Sequence, residues 1–187
     1  DMQRIFQVEL DGLVAQFAHT VSLSLIPSDG IRIADVLNDF ELTETGRYRL
    51  PNLQAGSAMD IVVQLKMGAQ AVGSTLRLLD LRMGFTPQDQ NAADVEKSAF
   101  SVEFVESNED LAVNHEVVKA VQFLMNARAR REAMERIDRG DFAGAQVVLG
   151  QSIAATQAVC APFASMEAVV EECASLEEVA KFLDNRN

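Results

Sequence analysis

The stretch IFQVELDGLVAQFAHTVSLSL (residues 5–25) changes its hydrophobic period halfway along. Its first part carries apolar residues at helical spacing, at Phe6, Leu10, Leu13, Val14 and Phe17. In its second part every second residue is apolar, at Val21, Leu23 and Leu25, which is the spacing of a strand with one buried face. The pattern predicts an amphipathic helix over residues 1–19 that runs, without glycine or proline at the join, into a first strand.

The strand pattern continues to about residue 106. Short alternating segments are separated by turn signals such as SDG (residues 28–30) and QAGS (residues 54–57). Six or seven short strands with this spacing are typical of an antiparallel β-sandwich. We therefore expect a β-sandwich over residues 20–106.

The last part of the chain, residues 107–187, has a helical period. The segment VVKAVQFLM (residues 117–125) carries apolar residues at helical spacing, and DRGD (residues 138–141) interrupts the pattern. Gly140 can adopt the left-handed conformation that ends one helix, and Asp141 can cap the next. The expected fold class is therefore α+β, with an N-terminal helix, a sandwich and a C-terminal helical hairpin or bundle.

Composition excludes several classes of protein. The chain has 187 residues, 48% of them hydrophobic, and a net charge of −12. This length supports one ordinary domain or two small ones. The acidic balance argues against a nucleic-acid partner, since phosphates are bound by clustered Lys and Arg. No apolar run approaches the roughly 18 residues of a membrane span.

Two further features bear on cellular location. The two cysteines, Cys160 and Cys173, form no CxxC motif and are interpreted as buried apolar residues, which fits a reducing compartment. The sequence contains no basic and apolar segment of the kind that forms a secretion signal, and we expect a cytoplasmic protein. The sequence begins with Asp1 and not with methionine, which fits a fragment of a longer protein.

No catalytic constellation is apparent in the sequence. The two histidines, His19 and His115, have no nucleophile or carboxylate at a catalytic spacing, and there is no Gly-rich phosphate loop. The tripeptide Arg139-Gly140-Asp141 matches an integrin-binding motif, but a helix cap explains it better. We expect this chain not to be an enzyme and to hold no cofactor.

Three stretches together carry a family resemblance: IFQVELDGLVAQFAHTVSLSLIPSDG, RYRLPNLQAGSAMDIVVQLK and NARARREAMERIDRGDFAGAQ. They resemble the region that follows the von Willebrand factor type A (VWA) domain in bacterial VWA proteins. The resemblance implies that residues 1–19 correspond to the last helix of a VWA domain that this chain lacks. It also implies a β-rich region and a helical tail after that helix.

The family's metal-binding motif, Asp-x-Ser-x-Ser, does not occur in this sequence. Thr20-x-Ser22-x-Ser24 has threonine in place of the metal-binding carboxylate, so no metal residue can be carried over. The divalent cation that the resemblance implies, Mg²⁺, would belong to the missing VWA domain.

The leading functional hypothesis is a non-enzymatic interaction and scaffolding region. The resemblance implies protein partners, with an AAA-type ATPase as one candidate. The alternative is a structural spacer or a homodimerisation module that uses helix 1–18, whose apolar surface consists of Phe6, Leu10, Leu13 and Phe17. A hydrolase or metal enzyme is a third alternative. The sequence determines neither the partner nor the strand order.

Overall fold

The computed structural model describes residues 16–107, 111–160 and 175. They belong to two compact units, divided between Asp110 and Leu111. The first unit contains the strands β1 (Gln16–Pro27), β2 (Ile31–Val36), β3 (Tyr48–Arg49), β4 (Leu53–Gln54), β5 (Val63–Met67), β6 (Thr75–Pro87) and β7 (Asp94–Glu103). The second unit contains the helices α1 (His115–Asp138) and α2 (Phe142–Cys160). The predicted order, antiparallel strands followed by helices, is confirmed.

The strands form two antiparallel sheets. The larger sheet has the order β3-β1-β6-β7, and β4 also pairs with β1. The smaller sheet consists of β2 and β5. The two longest strands, β1 and β6, lie at the centre of the larger sheet, where each pairs with strands on both of its sides.

A tight turn at residues 28–31 directs the chain from the larger sheet into the smaller one. The N–H of Ile31 donates to the carbonyl oxygen of Ser28 at 3.0 Å. Gly30 has a φ of 77°, the conformation that the third residue of a type II turn requires. The turn predicted from SDG is therefore confirmed.

Two apolar clusters hold the first unit together. One contains the buried residues Ala18, Val21, Leu23, Leu50 and Phe85. The other joins the sheets, because Ile31 of β2 packs with Leu78 and Leu79 of β6. The smaller sheet has two strands in the described part of the chain, so the predicted β-sandwich of six or seven strands is not established and stays a prediction.

The predicted N-terminal helix is wrong at its end. Residues 16–19 are not helical but lie in β1, where Ala18 is fully buried and pairs with Leu53 and Pro87. Ladder hydrogen bonds on both sides of β1 outweigh the helical spacing that Phe17 shares with the residues before it. The rest of the predicted helix, residues 1–15, lies outside the described residues.

The last strand also differs from the expectation. The polar composition of PQDQNAADVEK (residues 87–97) predicts a connection between strands, but β7 begins within this segment at Asp94. The long strand β6 offers a pairing partner for this segment, and Phe85 pairs with Asp94. Strand pairing decides the conformation here, although the local composition is polar.

The connection between the helices has the predicted geometry. Gly140, with a φ of 77°, donates to the carbonyl oxygen of Ile137, and Asp141 N–H donates to that of Arg136, both at 2.9 Å. These two bonds form a Schellman motif, which satisfies the last carbonyl groups of α1. The Asp141 carboxylate then accepts from the N–H of Gly144 at 2.9 Å and caps α2.

The buried face of α1 is not the expected apolar stripe. Val117 is 53% exposed and Met125 is 48% exposed, whereas Gln122 and Asn126 are buried. The reason is that α2 presents two hydroxyl side chains, and polar residues of α1 pair with them. Periodicity alone could not identify this face, because a polar side chain inside a helix pair is stable only when its partners are in place.

Candidate interaction surface

Of the four residues predicted to form an interaction surface, only Phe17 lies within the described part of the chain. Its side chain is 54% exposed on β1, and its ring lies 6.1 Å from the ring of Phe85. Phe6, Leu10 and Leu13 lie outside the described residues, so their common surface stays a prediction. Phe17 belongs to a strand and not to an amphipathic helix.

The most exposed long element of the first unit is β7. Nine of its ten residues are exposed, including Val95 at 52% and Phe100 at 53%. Within the described residues it pairs only with β6, so its other edge carries no strand. An edge of this length is an available template for another strand.

The orientation of the backbone groups of β7 follows from two hydrogen bonds. The N–H of Phe104, just after the strand, donates to the carbonyl oxygen of Ser74 on the β6 side. The N–H of Val95 instead donates to the carboxylate of Asp94, its own neighbour. Because backbone groups alternate along a strand, the odd-numbered residues from 95 to 103 direct their N–H and C=O groups to the open edge.

An apolar groove of about 400 Å³ lies beside β7. Its walls come from β1, β6 and β7 on one side and from the segment that leads into β5 on the other. The lining residues are Leu23, Leu25, Met59, Ile61, Val63, Leu81, Met83, Glu96, Lys97 and Ser98. Across the groove, Met59, Ile61 and Val63 thus face the larger sheet.

A β-bulge in β1 places Thr20 in an unusual conformation. The register with β6 shifts between His19 and Ser22, and Thr20 has a φ of 55°. Among the described residues it is the one non-glycine residue with a positive φ. The Thr20 hydroxyl lies 2.9 Å from Nδ1 of His19. This left-handed conformation is costly for a β-branched residue.

The bulge should therefore limit stability. We expect Thr20→Asn to raise the free energy of unfolding by about 0.5–1 kcal/mol, because asparagine adopts the left-handed conformation more easily than threonine. Chemical denaturation of the whole chain measures the change. The control is Thr75→Asn, an exposed strand position with negative φ, where a slight loss is expected. A loss of stability with both substitutions would contradict backbone strain at Thr20.

Thr20 and Ser22 line a cleft of about 520 Å³. The facing wall comes from residues 43–52 and includes Arg47 and Arg49. Mg²⁺ prefers carboxylate oxygens, whereas the charged residues that line this cleft are the two arginines. These residues do not fit the cation that the family resemblance implies.

Within residues 16–107, 111–160 and 175, no group of three or more His, Cys, Asp or Glu side chains is placed to hold a metal ion. Neither α1 nor α2 is long and apolar enough to cross a lipid bilayer.

Comparison with known proteins gives a likeness of fold. No protein-family model and no curated protein sequence matches this chain. Among solved structures it is similar to a von Willebrand factor type A protein from Catenulispora acidiphila, with a TM-score of 0.58, 15% identity, and coverage of 96% of this chain and 42% of that one. It also matches the ArnB paralog VWA2 from Sulfolobus acidocaldarius, with a TM-score of 0.43, 13% identity, and coverage of 90% of this chain and 42% of that one.

The first of these comparisons supports a VWA-like fold. At 15% identity the likeness concerns the fold alone. The chain spans less than half the length of either protein.

Proposed function

We propose that this chain, whose fold is VWA-like, is a non-enzymatic protein-interaction and scaffolding region of a VWA-type protein. The observation that carries the proposal is the open edge of β7, where the five odd-numbered residues from 95 to 103 direct their backbone groups outward and the side chain of Phe100 is half-exposed. A sheet edge binds an extended partner segment through main-chain hydrogen bonds and selects it through side-chain pockets. The groove beside β7 supplies an apolar surface for such selection.

The finer parts of the proposal come from the sequence resemblance. The chain would follow a VWA domain of a bacterial protein, and the VWA domain would hold the Mg²⁺ ion. An AAA-type ATPase is the candidate partner. The β-sandwich, the helical bundle and the cytoplasmic location belong to the same proposal.

Proline at the open edge tests the proposal. The N–H of Ala99 faces away from β6, so Ala99→Pro should remove an edge donor and leave the pairing with β6 intact. We expect affinity capture from a lysate of the source organism to recover specific partners with the wild-type chain and to lose them with Ala99→Pro.

The matched control keeps the edge donor. Ala99→Val retains the N–H and favours a strand, so its partner list should equal that of the wild-type chain. Circular dichroism and thermal melting establish that both variants are folded. An unchanged partner list with a folded Ala99→Pro variant would contradict the role of the β7 edge.

A further inference from the structure

The charges of β7 are arranged so that the strand complements itself. Lys97 is the one cation of the strand, and Asp94, Glu96 and Glu103 are its acidic residues. Side chains alternate between the two faces of a sheet, so Lys97 shares its face with Glu103 and not with Asp94 or Glu96. Lys97 and Glu103 are exposed and form no ion pair with any other described residue.

We propose that two copies of this chain pair antiparallel through β7, with Lys97 of each copy opposite Glu103 of the other. Opposite residues in an antiparallel ladder lie on the same face and have the same hydrogen-bonding class. Lys97 and Glu103 both direct their backbone groups to the open edge, so they can form a hydrogen-bonded pair. The inference deepens the proposed interaction function, on which it rests, by naming a partner.

This pairing fixes the symmetry axis of the dimer. The midpoint between Lys97 and Glu103 is Phe100, which would face Phe100 of the second copy. Because its own N–H direction is toward β6, Phe100 would occupy a non-hydrogen-bonded position, where opposite side chains come closest. Aromatic pairs at such positions are favourable, and the half-exposed ring of Phe100 would lose its contact with water.

Other registers lack these features. An axis at Lys97 would place two lysines opposite each other, and an axis at Glu103 would place two glutamates opposite each other. A symmetry axis at any other residue of β7 except Phe100 would place no carboxylate opposite Lys97. Two symmetric ion pairs and a central aromatic pair therefore select a single register, in which residues 97–103 of both copies are paired. The two five-stranded sheets would become one continuous sheet.

Charge exchange tests this register directly. In the whole chain, Lys97→Glu places like charges at both symmetric contacts, and Glu103→Lys does the same with the opposite sign. We expect each variant alone to self-associate roughly tenfold or more weakly than the wild-type chain. Sedimentation velocity or light scattering over a concentration series measures the dissociation constant.

Mixing the two variants provides the decisive result. In a mixed dimer each introduced carboxylate at position 97 faces an introduced ammonium at position 103, and the original Lys97 faces the original Glu103. We expect an equimolar mixture to recover wild-type association. A variant that had lost its fold could not regain association merely by mixing with the other variant. Misfolding therefore cannot imitate this recovery.

The control is Lys66→Glu, which makes the same substitution at an exposed position of β5, away from the β7 edge. It should leave dimerisation unchanged. If the wild-type chain stays monomeric at all concentrations, the proposed dimer is wrong, and the β7 edge would bind a different protein. A wild-type dimer that neither charge variant weakens also overturns it, and such a dimer would use a different surface.

Failure of the dimer and failure of the proposed function are distinguishable. Self-association of the purified chain tests the dimer, whereas capture of other proteins through the β7 edge tests the interaction function. If the wild-type chain is monomeric but the Ala99→Pro variant loses the captured partners, the dimer is rejected and the interaction function is supported.

Discussion

Replacing Asn126 by alanine should destabilise the helical unit by about 3 kcal/mol, because it leaves buried polar groups without partners. Asn126 is fully buried between α1 and α2. Its Oδ1 lies 2.9 Å from Nε2 of Gln122, 2.8 Å from the hydroxyl of Ser152 and 3.0 Å from that of Thr156. Three side chains of the helix pair thus depend on this amide.

The hydrogen positions follow from counting donors and acceptors. The Thr156 hydroxyl lies 2.8 Å from the carbonyl oxygen of Ser152 and 3.0 Å from Nε2 of Gln122. It can therefore donate to that carbonyl and accept from Gln122, which leaves the two lone pairs of Asn126 Oδ1 for Gln122 and Ser152. In this arrangement these contacts satisfy both hydroxyls and both Gln122 amide hydrogens.

Hydrogen exchange of amides in α1 and α2 measures the effect of Asn126→Ala. The matched control is Met125→Ala, at the neighbouring half-exposed position, where a change of about 0.5 kcal/mol or less is expected. In a double-mutant cycle with Ser152→Ala we expect a coupling above about 0.5 kcal/mol. Additive effects of the two substitutions would show that the hydroxyl and the amide do not depend on each other.

Gly144→Ala should destabilise α2 by about 1–2 kcal/mol, although alanine is the better helix former. A Cβ at position 144 would lie 2.1 Å from Oδ2 and 2.6 Å from Cγ of Asp141, and 2.7 Å from Nη1 of Arg136. Asp141 would have to leave the cap position, where it accepts from the Gly144 N–H and pairs with Arg136 at 3.0 Å.

The same substitution six residues later should have the opposite sign. Apart from its chain neighbours and the backbone of its own helix, no atom of the described residues lies within 4 Å of a Cβ built at Gly150, so Gly150→Ala should stabilise α2 by about 0.5–1 kcal/mol. Thermal or chemical unfolding of both variants, with helix content followed by circular dichroism, tests the pair. If both substitutions stabilised the protein, the stability of α2 would not depend on the cap formed by Asp141.

The effect of Gly144→Ala should also depend on pH. The hydrogen bond from the Gly144 N–H, and then the one from Arg136, lower the pKa of the Asp141 carboxyl. A carboxyl with a lowered pKa in the folded state contributes stability above its unfolded pKa of about 4, and this stability is lost as the pH falls through the folded value. The difference between wild type and Gly144→Ala should therefore shrink in acid.

Local patterns were sufficient to predict several elements. Alternation at Val21, Leu23 and Leu25 predicted β1, and the turn at residues 28–30 has the expected geometry. The left-handed Gly140 and the cap at Asp141 were also predictable. These features depend on residues close together in the chain, where side-chain period and backbone sterics act directly.

The candidate site was less predictable. Phe17 fits a helical period, but pairing of its neighbours with β4 and β6 places it in a strand. The open edge of β7 could not be inferred, because only the strand order shows that β7 has a single neighbour among the described strands. One signal was available in the sequence. Lys97 and Glu103 have opposite charges, would share one face of a strand, and lie three residues on either side of Phe100.

By itself the sequence determined the order of strands and helices, the turns and the helix caps of this chain. Tertiary structure alone decided which face of α1 is buried, where Asn126 is stable because α2 supplies Ser152 and Thr156. It also decided that β7 lies at an edge and that Thr20 adopts a strained bulge. The physical reason is that pairing and burial depend on residues distant in the chain, whose contributions outweigh local preferences once they come together.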